Sequence, residues 1–180
     1  MAFVTVYSVV KYEKAIDNEL AQRLASNGRE IIAILEDFKA SMQERRDQYA
    51  GDTTFRYNLS SGNLSAIRQT AADWLRSDIS TSLTFFNRQG RMLISVYRDE
   101  QGRTKDFIST GRRALVLAQS NLDKLKNTNE YLLVEHSKNG RFSLVLFSKI
   151  TNDKGRLIGY IEQSLDLDSR FLIKQKERMR

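Results

Sequence analysis

Apolar residues between Tyr131 and Asp168 fall in three short runs rich in Leu, Val, Ile, Phe and Tyr, divided by Ser137-Lys138-Asn139-Gly140 and Thr151-Asn152-Asp153-Lys154-Gly155. Each divider is polar and ends in glycine, which takes positive φ without a steric penalty. The runs are too short for typical helices and suit strands, so the pattern predicts an antiparallel three-stranded meander. A second strand signal lies upstream: Leu83-Thr84-Phe85-Phe86 and Met92 to Arg98 flank the hairpin-turn sequence Asn87-Arg88-Gln89-Gly90. Asp99 to Lys105 reads as a polar loop.

Helical spacing governs most of what remains. From Lys11 to about Tyr49, Ile16, Leu20 and Leu24 and then Ile31, Ile34, Leu35, Phe38 and Met42 recur at three to four residues, predicting one long helix interrupted at Asn27-Gly28. At about 35 residues it would be roughly 50 Å long, more than the radius of gyration of about 16 Å expected for a domain of this size. Part of it should project, and Leu20, Leu24, Ile31 and Phe38 form a seam suited to a second copy of the chain, so a homodimer is expected. Gly51 ends this helix. Asp52 to Leu59 carries alternating Phe55 and Tyr57 and reads as a short extended piece, Leu64 to Ser77 as a second helix, and Thr110 to about Lys126 as a third. The residues after Asp168, SRFLIKQKERMR, return to a helical pattern. Ala2 to Val10 is an apolar run that reads either as the tail of a longer apolar segment or as a buried N-terminal element; nine residues are too few to cross a bilayer.

The element order, with strands joined by hairpins among helices, predicts an α+β fold: a long N-terminal helix packed on a five-stranded antiparallel sheet with covering helices. The organisation follows as 1–50, the long helix; 51–168, the body; and 169–180, an exit helix. Alternation assigns two faces to the sheet. One holds Met92, Ile94, Val96, Leu132, Val134, Phe142, Leu144, Leu146, Gly159 and Ile161, nearly all apolar, and should pack on the long helix. The other holds Leu93, Ser95, Tyr97, Leu133, Glu135, Ser143, Val145, Phe147, Lys149, Tyr160, Glu162 and Ser164.

A face that mixes aromatic and polar groups is either half solvated or the wall of a small-molecule pocket. The pocket reading selects Ser95, Tyr97, Glu135, Ser143, Phe147, Tyr160 and Glu162. Arg112 and Arg113, near the start of the third helix, offer a contact to an anion such as an organic acid or amino acid. Glu135 and Glu162 would then either anchor an amine or hold Arg113.

Composition narrows the chemistry. The 180 residues include 41% hydrophobic residues, enough for a core, and a net charge of +7. Without cysteine there is no disulfide, thiolate nucleophile or thiolate-bound metal, and without proline there is no polyproline recognition segment. The single histidine, His136, sits inside a predicted strand, where a partly buried structural role is expected. One histidine supports neither a His/Cys metal site nor a choice of catalytic triads. Neither GxGxxG nor GxxxxGK[ST] occurs. The 29 basic residues are dispersed among 22 acidic ones with no recognition motif, so nucleic acid is not an expected partner. The residues thus assign no catalytic role, no metal and no cofactor.

One combination of motifs resembles a known family. The hairpin LTFFNRQGRMLIS is followed by a helix and by strands closing on KGRLIGYIEQSLDLDSRFL. Gly155, Leu157, Ile158, Gly159, Tyr160, Ile161, Asp166 and Leu167 resemble the last strand of the Cache sensor domains in their single-module form, with a PAS-like sheet. The Tyr/Arg/Trp/Tyr/Asp set of the double-module, amino-acid-binding form has no counterpart, since Arg68 and Trp74 do not match it. The resemblance implies a non-enzymatic, ligand-sensing domain in the periplasmic or extracytoplasmic part of a bacterial inner-membrane receptor. Such receptors include histidine kinases, chemoreceptors and diguanylate cyclases of two-component and related signalling systems. It also implies a membrane reached through flanking segments, and a pocket on the sheet side covered by helices and loops. A cytosolic PAS-like dimerisation module of a signalling protein is the alternative.

Overall fold

The computed structural model describes residues 29, 32–99, 101–108, 116–136 and 142–167. Leu20, Leu24 and Ile31 of the expected seam, the Asn27-Gly28 interruption, the Ala2–Val10 run, Arg112, Arg113 and the exit segment 169–180 lie outside the described residues. The chain divides into a unit of residues 1–40 and a unit of residues 41–180. Residues 32–51 are helical and form α1, with Phe38 partly buried in the first unit.

The second unit contains α2 (Thr53–Ser61), α3 (Leu64–Ser77), β1 (Ser82–Asn87), β2 (Met92–Arg98), β3 (Thr104–Ile108), α4 (Gln119–Asn127), β4 (Glu130–His136), β5 (Phe142–Thr151) and β6 (Leu157–Asp166). The strands make one antiparallel sheet in the order β3-β2-β1-β6-β5-β4, so the hairpin and the meander join along the central β1–β6 seam. At that seam Gly159 lies against β1; a Cβ there would stand 2.4 Å from the Phe86 carbonyl oxygen, and only glycine admits so close an approach of the two backbones.

The structure departs from expectation first in its elements. Residues 53–61 are helical, not extended. The Asp52 side chain accepts from the Phe55 amide at 2.8 Å as an N-cap, and Gly62, at φ 71°, closes the helix in the left-handed region. With a cap in place, Phe55, Asn58 and Leu59 share a buried helical face while Tyr57 is exposed. The sheet has six strands, not five: Thr104 and Lys105, read as loop, begin β3, an edge strand whose Lys105 and Phe107 are exposed. Residues 116–118, expected within the third helix, are not helical: Val116 is bridged to Arg91 and the Leu117 amide donates to the Gly90 carbonyl, holding this segment against the β1–β2 turn, and α4 follows from Gln119; residues 110–115 lie outside the described residues.

One sheet face lies beneath the helices. Phe55, Leu59, Ile67, Ala71 and Leu75 of α2 and α3, with Tyr49 from the end of α1, bury Leu83, Phe85, Ile94, Val96, Ile150 and Ile161. This part of the apolar face is covered by α2, α3 and the end of α1, and most of the long helix expected to pack on the face lies outside the described residues. At its outer β4–β5 corner Val134 and Phe142 are exposed, and His136, expected to be partly buried, is exposed and stacked on Phe142 at 4.6 Å.

Candidate functional site

The opposite face of the sheet is where the mixed positions collect, and two irregularities decide its composition. A bulge in the β1–β2 pairing sets Phe86 opposite Met92 instead of Leu93. Met92 is thereby turned away from Ile94 and Val96, the face assigned to it by strict alternation, into a second core with Phe86, Leu117, Leu125, Val145, Phe147 and Tyr160. Leu93 moves the other way and packs on the helix-covered core. A similar shift between Ile150 and Thr151 places Leu157 in the second core and Ile158 in the first.

Beside the second core, the segment Val116–Ala118 and the first turn of α4 border a partly open cavity of about 350 Å³ over the sheet. Its walls come from every strand: Thr84 and Phe86 of β1, Met92, Ser95 and Tyr97 of β2, Phe107 of β3, Glu135 of β4, Phe147 of β5 and Glu162 of β6. Val116, Leu117, Ala118 and Asn121 complete it. Phe86, Met92, Leu117 and Phe147 are buried, whereas Tyr97, Phe107 and Glu135 are exposed at the rim. The hydroxyls of Thr84 and Ser95 are hydrogen-bonded to each other at 2.9 Å.

Glu162 is the electrostatic centre of this cavity. It sits between Thr84 on β1 and Phe147 on β5. Burial, and secondarily the charge of Glu135, pushes its carboxyl up to about 7. The same two carboxylates, after burial, raise the pKa of Tyr131. Tyr131 is stacked on Phe147 at 5.1 Å and has Lys124 Nζ 5.2 Å from its ring centre. Neither glutamate side chain has a hydrogen-bond or ion-pair partner among the described residues.

Of the eight residues selected from sequence, Ser95, Tyr97, Glu135, Phe147 and Glu162 line this one cavity. Tyr160 is buried in the second core beside it, and Ser143 is committed elsewhere, its hydroxyl donating to Asp166 Oδ1 at 2.8 Å. Arg113 lies outside the described residues. Sequence reasoning missed Phe86 and Met92 because alternation does not reveal a bulge, and Phe107 because Asp99 to Lys105 was read as a polar loop and no strand was assigned to the residues after it. It missed Leu117 because residues 116–118 were read as helix. Among the described residues, no group of three or more His, Cys, Asp or Glu could hold a metal ion, and no helix is long and apolar enough to cross a membrane.

No family model matches the chain, and no curated protein does. Among solved structures the chain is similar to the extracellular domain of the histidine kinase vpHK1S-Z8, with a TM-score of 0.61 and 16% identity over 83% of this chain. It is also similar to the domain of a sensory box/GGDEF family protein from Vibrio parahaemolyticus, with a TM-score of 0.58 and 15% identity over 84% of this chain. The chain spans 57% and 60% of those two structures' own lengths. At this identity the likeness defines the fold: helices on an antiparallel sheet, in the manner of the Cache and PAS-like sensor domains.

Proposed function

We propose that this chain is the ligand-sensing, extracytoplasmic domain of a membrane receptor and that its ligand is a small molecule bound in the cavity over β1, β2, β5 and β6. The observation that carries this is the cavity itself, with apolar and aromatic walls and a few convergent polar groups, on a fold shared with extracellular sensor domains. Its volume lies toward the lower end of the roughly 300–1,000 Å³ typical of such sites. The domain is a binding module, with no residue assigned a catalytic role.

A thermal-shift screen of organic acids, amino acids, amines and neutral polar compounds tests the assignment. A compound at about 100 times its Kd stabilises by about 2.7 kcal/mol. At roughly 2–4 °C per kcal/mol, Tm should rise by about 5–10 °C. Tyr97, at the rim and 38% exposed, adds contact area without being needed for the core. Tyr97→Ala should therefore cut the shift while leaving the circular dichroism spectrum intact. If no compound of any class moves the wild-type Tm, the sensing assignment fails.

Ligand state would reach the rest of a receptor through α1 and the segment following β6, with two copies paired along the Leu20/Leu24/Ile31/Phe38 seam. Sedimentation should show self-association that weakens in the Leu24→Asp/Ile31→Asp double variant. A wild-type monomer independent of concentration would remove this part of the proposal.

A further inference from the structure

Resting on the reading of this cavity as the sensory site, we infer that its ligand is a cation: an organic amine or quaternary ammonium compound, its charged head between Glu162 and Glu135 and its apolar part against the aromatic walls. The first ground is the sign of the lining. The described lining residues include two carboxylates and neither Lys nor Arg, although the chain as a whole carries a net +7. Among the described residues, therefore, both charged groups of the lining are acidic.

The second ground is how other shielded carboxylates in this fold are treated. Glu130 pairs with Arg46 at 2.6 Å, Asp106 with Arg68 at 2.7 Å, and Asp99 with Arg103 and Lys105, each at 3.1 Å. Asp78 accepts from Tyr49 and Ser80. Glu162, the carboxylate that faces the cavity from the sheet floor, has no such partner among the described residues. Shielding a carboxylate without a partner is costly, and a bound cation would offset that cost. An anion at the same place would meet two like charges.

The third ground is the nature of the remaining wall. Phe86, Tyr97, Phe107 and Phe147 bring four aromatic rings to a cavity of about 350 Å³. Aromatic faces attract ammonium groups electrostatically and contact an alkyl chain equally well. Thr84, Ser95 and Asn121 add oxygen acceptors for N–H donors.

The test uses matched probes on the whole chain at pH 8: alkylamines, diamines and choline against carboxylic acids and alcohols of the same chain length, read by thermal shift and titration calorimetry. Amines or choline should bind in preference to their matched acids and alcohols, and Glu162→Gln should weaken that binding at least tenfold. Glu135→Gln should weaken it less, and Asp73→Asn, on the exposed face of α3, not at all. Binding of acids with amines silent overturns the cation assignment and leaves the sensory reading standing. Amine binding that is unchanged in a Glu162→Gln/Glu135→Gln double variant overturns it too. Silence of every compound overturns both.

Discussion

Asp78→Ala should lower the unfolding free energy by about 3 kcal/mol, the scale for removing one member of a buried, hydrogen-bonded charge network. For a chain of this size that corresponds to a Tm lower by about 6–12 °C. Asp78 is 5% exposed. Its Oδ2 accepts from the Tyr49 hydroxyl, and its Oδ1 accepts from the Ser80 amide at 3.0 Å and the Ser80 hydroxyl at 3.1 Å. Its backbone carbonyl takes a further bond from Arg98 Nη2 at 2.8 Å, and the same guanidinium bonds the Leu75 carbonyl. The last turn of α1, the end of α3 and the end of β2 are thereby tied at one point. Tyr49 is held there from its other side by stacking on Trp74 at 4.1 Å. Deleting the carboxylate strands three donors at once, in a place water cannot reach without opening the helix layer. Tyr49→Phe removes only one donor and should cost less, about 1–2 kcal/mol. Asp73→Ala, which loses a surface pair with Arg76 at 2.8 Å, is the control and should stay within about 0.5 kcal/mol of wild type. Urea unfolding monitored by Trp74 fluorescence separates these outcomes. Equal midpoints for Asp78→Ala and Asp73→Ala would mean that the network does not hold Tyr49 to the end of α3.

What could be read from sequence follows the strength of local signals. The meander and hairpin were legible because glycine-ended polar dividers interrupt long β-rich runs. Residues 64–77 were legible as a helix because Asn63 can cap it, as its side chain does in accepting from the Ala66 amide at 3.3 Å, and because Ile67, Ala71 and Leu75 repeat every four residues. Where two patterns compete, alternation misled. Phe55 and Tyr57 suggest a strand, but Phe55 and Leu59 at i,i+4 suggest a helix, and the Asp52 cap decides between them. β3 was invisible because an edge strand with one free side, carrying Lys105 and Asp106, has no apolar face to reveal it. Its anchor is non-local: pairing with β2, with Asp106 opposite Val96, and the bridge from Asp106 to Arg68 on α3. The pocket side of the sheet was legible where alternation is unbroken, as at Ser95, Tyr97, Phe147 and Glu162. It failed at Met92, beside the bulge. The roof of the cavity was not legible, because Gly90 and Leu117 are joined across the chain by a backbone hydrogen bond of 2.8 Å, which no periodicity encodes.

The stability of the ligand-free protein should fall as pH rises from about 4.5 to about 7, and Glu162 should account for the loss. Its carboxyl lies at about 7 against an ordinary 4.5, raised first by burial and then by the charge of Glu135. The folded protein therefore holds this proton more tightly than the unfolded chain does. Below about pH 4.5 both states are protonated and the contribution is fully present; through the window the unfolded chain deprotonates first and is favoured; above about pH 7 the loss is complete. A displacement of this size corresponds to about 3 kcal/mol, and the partly open cavity reduces the expectation to about 1–3 kcal/mol. Among the described residues the groups around the carboxylate are Thr84 from β1, Phe147 from β5 and Glu135 and Tyr131 from β4, and none of these supplies a compensating positive charge. Asp99 acts in a different window. Desolvation raises its pKa, but bonds from the Arg103 amide, Lys105, the Arg103 side chain and the Gln101 amide together lower it to about 2. Its contribution is lost only as pH falls below about 4. Glu162→Gln should thus match wild type near pH 4.5, exceed it by about 1–3 kcal/mol at pH 8, and flatten the slope between. Urea midpoints measured at pH 5, 6, 7 and 8 decide the matter, and parallel curves for the two proteins would refute it. A bound cation should act in the opposite sense to deprotonation: by favouring the carboxylate it lowers the pKa of Glu162, so amines should bind more tightly at pH 8 than at pH 6 and restore to the wild-type domain the stability that deprotonation removes.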